Sequence, residues 1–110
     1  MNITHSKTGN VTIVRLEGNL DTGTSPEAQA FVDGLIGEGA TRILIDFSDV
    51  GFVSSAGLRV LLMVAKALNM PESGLRICSL NQTVSQVFEL TGFNKILEVK
   101  GTEAEALDGF

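Results

Sequence analysis

The chain is poor in the residues that most site chemistry needs: it has one cysteine, one histidine, and 8 basic side chains against 13 acidic ones in 110 residues. Cys78 alone excludes an internal disulfide, and with His5 it supplies too few soft ligands for a structural zinc site. The net charge of -5 and the lack of any basic cluster argue against a surface that tracks nucleic-acid phosphates. No stretch reaches the roughly 20 uninterrupted apolar residues of a membrane span. Met1 to Asn10 lacks the charged start and apolar core of a secretory signal, so the expected location is the cytoplasm. An enzyme is not expected: the serines have no usefully placed histidine, Cys78 lies in an apolar run, and no glycine-rich phosphate loop of the usual spacing occurs. No cofactor is implied.

What is present is apolar sequence in short, well-punctuated runs. Hydrophobic residues make up 44% of the chain, enough to fold as a single domain over residues 1–110. Ile3 to Lys7 and Val11 to Glu17, joined by Thr8-Gly9-Asn10, predict a hairpin whose second strand is buried on both faces. Ser25-Pro26-Glu27 reads as a helix start with Ser25 as cap, and residues 37–39 end that helix. Arg42 to Phe47 is too short and too apolar for an amphipathic helix and predicts a central strand. A helix from Ser55 to about Asn69 is stopped by Pro71, and Leu75 to Leu80 is the next strand. Asn81 caps a helix that Gly92 closes, Ile96 to Val99 is a short edge strand, and Thr102 caps a final turn through Leu107. The expected class is therefore α/β, with a mixed β-sheet of four to five strands and helices packed against it.

The chain is organised around Val50 to Leu62, where an apolar strand gives way to a long helix across the pair Ser54-Ser55. Either hydroxyl can cap the helix; the alternative is that one of them is a chemical switch. On a helical wheel, Leu58, Leu61, Leu62, Ala65 and Leu68 form the expected core face. Val60, Met63, Val64 and Ala67 form a second apolar strip flanked by Arg59 and Lys66, as a protein-docking surface would. Asp21, Asp46 and Asp49 are expected on the same rim as the serines, where turn formation also explains them. A phosphate on Ser55 would add roughly 1.5 to 2 negative charges. Free helix N–H groups would stabilise it, so the fold should persist while a partner is repelled.

The segments Leu16-Glu-Gly-Asn-Leu-Asp21, Ile43-Leu-Ile-Asp-Phe-Ser-Asp-Val50, Phe52-Val-Ser-Ser-Ala-Gly-Leu58 and Thr91-Gly-Phe93 resemble the STAS family, the sulphate transporter and anti-sigma factor antagonist domain, most closely its stand-alone antagonists. The resemblance implies a STAS-like fold and a partner-switching regulator that binds an anti-sigma factor and frees a sigma factor. It also implies that the anti-sigma factor is a serine protein kinase that inactivates the antagonist by phosphorylating it, and that a metal-dependent serine phosphatase restores it. The phosphorylated serine of the family falls on Ser55. The family's acid before it is replaced by Ser54, a rival acceptor. The expected partner-binding set is Asp21, Asp46, Ser54, Ser55, Ala56, Gly57, Arg59, Val60, Met63, Val64 and Ala67. Two alternatives stay open: a STAS module of another sensory or transporter-regulating assembly, and a receiver-like phosphoacceptor with Asp46 taking the phosphate and Asp21 helping to hold magnesium.

Overall fold

Strand β2 (Val11–Glu17) is the first element that can be buried, and the sheet grows outward from it in chain order. The computed structural model describes residues 1–110. Strand β1 (Asn2–Thr8) folds back on β2 as an antiparallel edge, with Thr8 paired to Val11 across the turn. Strands β3 (Arg42–Asp49), β4 (Gly74–Cys78) and β5 (Glu98–Lys100) then add in parallel, giving the order β1-β2-β3-β4-β5. This is the mixed, five-stranded α/β sheet expected from the sequence.

Each parallel step needs a crossover, supplied by α1 (Ser25–Gly37), α2 (Ser55–Ala67) and α3 (Gln82–Thr91) with the four-residue α4 (Phe93–Ile96). Because the sheet grows in one direction, crossovers of one hand put all these helices on the same face. Alternation along the strands follows suit: Val14, Leu16, Ile43, Ile45, Phe47 and Ile77 join Val32, Leu61, Val64 and Phe88 in a core of 21 buried residues. The opposite face carries a smaller cluster of Val11, Ile13, Leu44 and Cys78, capped by Ala106 of α5 (Glu103–Leu107). Val11 to Val14 are thus buried on both sides, as expected of the second strand, with Thr12 the one polar side chain among them.

The boundaries depart from expectation where local chemistry competes. The fourth strand stops at Cys78, because Ser79 takes a left-handed φ of 65°. The predicted strand at Ile96–Val99 is split: Phe93–Ile96 coils into a helical turn and pairing begins at Glu98. Helix α1 ends as Gly39 turns left-handed, with its N–H bonded to Ile36 O and that of Ala40 to Leu35 O.

Two glycines near the end of α1 separate the physical uses of that residue. Gly34 is exposed, in ordinary helical backbone, with nothing near a built Cβ, whereas Gly39 has φ +105°. Gly34→Ala is expected to raise stability by about 0.5–1 kcal/mol by reducing the freedom of the unfolded chain. Gly39→Ala is expected to lower it, as followed by urea unfolding monitored with far-UV circular dichroism.

Candidate functional site

The rim at the C-terminal ends of the parallel strands is tied by backbone on one flank and by the Asn81 side chain on the other. As β2 and β3 end, Gly18 N donates to Asp49 O and Leu20 N to Phe52 O, and Leu20 forms a parallel bridge with Val53. Ser54 N then donates to Leu20 O at 2.9 Å. Asn81 closes the other side: its Oδ1 accepts from Val84 N at 2.7 Å to cap α3, and its Nδ2 donates to the carbonyls of Val50 and Gly51. The segment that presents the serines is therefore fixed from both flanks.

The two serines do different work. Ser54 is the cap of α2, with extended backbone and its Oγ accepting from Gly57 N at 3.3 Å. Ser55 is the first residue of the helix, is exposed, and makes no hydrogen bond with its side chain. The N–H groups of Ser55 and Ala56 have no acceptor within the chain. Gly57 is buried against the bridge: a Cβ there would lie 2.6 Å from Leu20 O and 2.8 Å from Val53 Cγ2. Only glycine lets the helix come this close.

Helix α2 does not carry the solvent-facing apolar strip expected of it. Val60 and Val64 are 5% and 1% exposed, because α1 lies alongside α2 and covers that flank. Val64 and Gly57 offer no side chain to a partner, and Val60 reaches the surface only as part of the lining of the crevice between the two helices. What stays outside is a row at four-residue spacing, Ser55, Arg59, Met63 and Ala67, with Lys66 exposed and Ala56 half-buried beside it. Met63 is 46% exposed and its Sδ accepts from Gln29 Nε2 of α1. A crevice of about 200 Å³ runs along this seam, lined in part by Thr22, Pro26, Gln29, Ala56 and Arg59. Phe52, close to the serines in sequence, is also 46% exposed. Its sequence signal is an aromatic in a strand exit, which by residue type alone reads as core.

The aspartates separate. Asp21 Oδ1 accepts from Gly23 N at 2.9 Å and Thr24 N at 3.1 Å, while Asp21 O accepts from Ser25 N at 2.8 Å. Asp21 thus caps a turn that leads into α1, and Ser25, expected as the cap, instead gives its hydroxyl proton to Asp21 O. Asp46 points to the other face of the sheet, where Oδ1 accepts from Ser48 N and Oδ2 lies 3.7 Å from Arg15 Nε. Its expected place beside Asp21 and the serines is overturned by strand alternation, since it follows Ile45 and precedes Phe47, both buried in the helix-covered core. The receiver-like alternative falls with it: the two carboxylates face different surroundings, and no cluster of His, Cys, Asp or Glu suited to a metal ion is present.

The STAS domain family model matches residues 2–106. BtrV of Bordetella bronchiseptica, whose name describes it as a candidate anti-sigma factor antagonist, is 32% identical over 110 residues, covering 100% of this chain and 95% of that one. The anti-sigma-B factor antagonist of Staphylococcus aureus is 30% identical over 93 residues, 84% of this chain and 86% of that protein. Among solved structures, the chain is similar to the anti-sigma factor antagonist SpoIIAA of Bacillus in its unphosphorylated form, with a TM-score of 0.80, 25% identity, and 97% and 94% of the two chains covered. No helix of the protein is long and apolar enough to cross a membrane.

Because a Cβ at residue 57 would collide with backbone, Gly57→Ala is expected to cost about 2–3 kcal/mol, the upper part of the overpacking range. Removing a carboxylate cap is milder. Asp21→Ala is expected to cost about 1 kcal/mol and Asp21→Asn clearly less, since the amide oxygen still accepts the same N–H groups. Urea unfolding of the three variants ranks them, and an Asp21→Asn protein as unstable as Asp21→Ala would contradict the capping role.

Proposed function

The chain belongs to the STAS domain family, and we propose that it is an anti-sigma factor antagonist working by partner switching, with residues 1–110 acting as one cytoplasmic unit. Unmodified, it binds an anti-sigma factor and so frees a sigma factor. It is a regulatory protein, with no catalytic step of its own. The names of its relatives support the antagonist role. The finer reading is that the anti-sigma factor is also a serine kinase, that Ser55 receives its phosphate, and that a metal-dependent serine phosphatase reverses the transfer.

The observation that carries the choice of Ser55 is the division of labour between the serines. Ser54 Oγ is engaged in capping and its backbone is tied to Leu20, whereas Ser55 Oγ is exposed and unengaged. Transfer of the terminal phosphoryl group of ATP to Ser55 therefore disturbs no bond that holds the fold. The product carries roughly 1.5 to 2 negative charges at the first position of α2. The free N–H groups of Ser55 and Ala56 and the helix dipole favour it there, and Arg59 is one turn along on the same face. A partner would instead have to desolvate that charge next to Phe52 and Met63. Binding is lost while the fold is kept.

This reading is tested with the purified anti-sigma factor kinase and ATP. One phosphate is expected, mapped to Ser55, and absent from Ser55→Ala. Ser54→Ala should still be phosphorylated while losing about 1 kcal/mol of stability with its cap. In calorimetric titrations, Ser55→Asp should bind the anti-sigma factor at least tenfold more weakly with unchanged circular dichroism. Phosphate mapped to Ser54, or equal binding by Ser55→Asp, would refute the assignment.

A further inference from the structure

The face of the sheet turned away from α1, α2 and α3 is covered by one short segment, residues 103–110. Beneath it, Val11, Ile13, Leu44 and Cys78 are buried together with Ala106, and Leu107 and Phe110 pack at the margin. Helix α5 has five residues, too few to hold a helical shape unaided, and residues 108–110 have no regular structure. The segment is held chiefly by one side chain. Arg76 Nη1 donates to Ala106 O at 2.9 Å and Asp108 O at 2.8 Å, and Nη2 to Gly109 O at 3.3 Å. Its guanidinium carbon lies 4.5 Å from the centre of the Phe110 ring, and Nε is oriented by Glu98 at 3.1 Å. A second tie is ionic, from Arg15 Nη2 to Glu103 at 2.7 Å, exposed and so open to screening by salt.

We propose that residues 103–110 form a latch that opens from the back of the sheet while the rest of the domain stays folded, with Arg76 as its clasp and Val11, Ile13, Leu44 and Cys78 as the surface uncovered. The front of the sheet is knit by a core of 21 buried residues from six strands and helices and the loops between them, whereas the latch contributes one fully buried residue, Ala106. Segments with so few buried contacts open at lower free energy than the whole domain. The clasp also concentrates the hold on a single group: Arg76 uses its planar fork for carbonyls that a lysine ammonium at the same place cannot reach together. Cys78 reports the state of the latch, because it is fully buried when the segment is down and its thiol is then pushed up from its ordinary pKa, chiefly by burial.

The rate at which a small disulfide reagent such as dithiodipyridine labels Cys78 in the intact protein tests this. In the wild type, labelling at low urea is expected to be faster than global unfolding allows and nearly independent of urea, then to merge with global unfolding near the midpoint. Arg76→Lys is expected to speed the low-urea rate by roughly 10- to 100-fold, the equilibrium equivalent of losing a hydrogen bond to a charged group. Far-UV circular dichroism should stay close to that of the wild type. Labelling of the wild type that follows global unfolding at every urea concentration would overturn the latch, whatever the stability of the variant. An unchanged rate in Arg76→Lys would overturn Arg76 as its clasp.

Discussion

The close approach of Gly57 to the carbonyl of Leu20 is the constraint on which the site depends. That carbonyl receives the N–H of Ser54, while Leu20 N reaches Phe52 O, so the exits of β2 and β3 are joined as a short extension of the sheet. With the exits joined, the helices that follow them start side by side. Helix α1, begun by the Asp21 turn, then lies along α2 and covers Val60 and Val64, and the row through Ser55, Arg59 and Met63 remains outside. A side chain at residue 57 would push α2 off the bridge and disturb each of these relations at once. The glycine that follows the two serines is thus a packing requirement of the site, with no direct role in its chemistry.

This arrangement separates the group available for modification from the groups that maintain the fold. The capping bond belongs to Ser54, the backbone ties to Leu20 and Asn81, and the buried contacts to Gly57, Val60 and Val64. Ser55 has none of these duties. A modification placed there can change the outer surface by a full charge or more without removing a native bond. If the exposed hydroxyl were also the cap, phosphorylation would set the loss of a capping bond, worth about 1 kcal/mol, against the gain at the helix dipole. The fold and the signal would then be coupled.

Much of this was legible in the residues, and the failures have distinct physical causes. The second strand, the Asn81 cap and the break at Pro71 are local chemistry, and local chemistry is what residue types report. The wheel for α2 separates two apolar faces, with Arg59 and Lys66 between them, but does not encode that a neighbouring helix covers one flank. A helix packed on both a sheet and a neighbour buries a wider arc than the usual stripe, here roughly 160° from Val60 round to Leu58 at 100° per residue. The Ser25 cap failed for a local reason: Ser-Pro-Glu has every mark of a helix start, yet the turn held by Asp21 begins four residues earlier. For Asp46, alternation alone puts the side chain opposite Ile45 and Phe47, but its ion partner comes from a neighbouring strand through the Arg15–Asp46 register. Phe52 was hidden because exposure depends on what fails to cover a residue, which no local pattern encodes.

The unequal cover of the two sheet faces follows from topology. Adding strands in one direction with crossovers of one hand commits α1 to α3 to a single side, so the other side must be finished by whatever chain follows β5. Residues 103–110 do this here, and the back of the sheet is mostly polar: Arg15, Asp46, Arg76 and Lys100 stand on it, around a small apolar centre. A five-residue helix suffices for a patch of that size, and charged groups at its border supply the hold that apolar area cannot. The two faces therefore rest on different physics. The front is set by shape and burial, which salt affects little. The back is set by arginine contacts, of which the exposed Arg15–Glu103 pair is open to screening by salt. A disturbance of the back face leaves the Leu20–Val53 bridge in place, because no group of the Arg76 clasp touches the rim on which Ser55 stands.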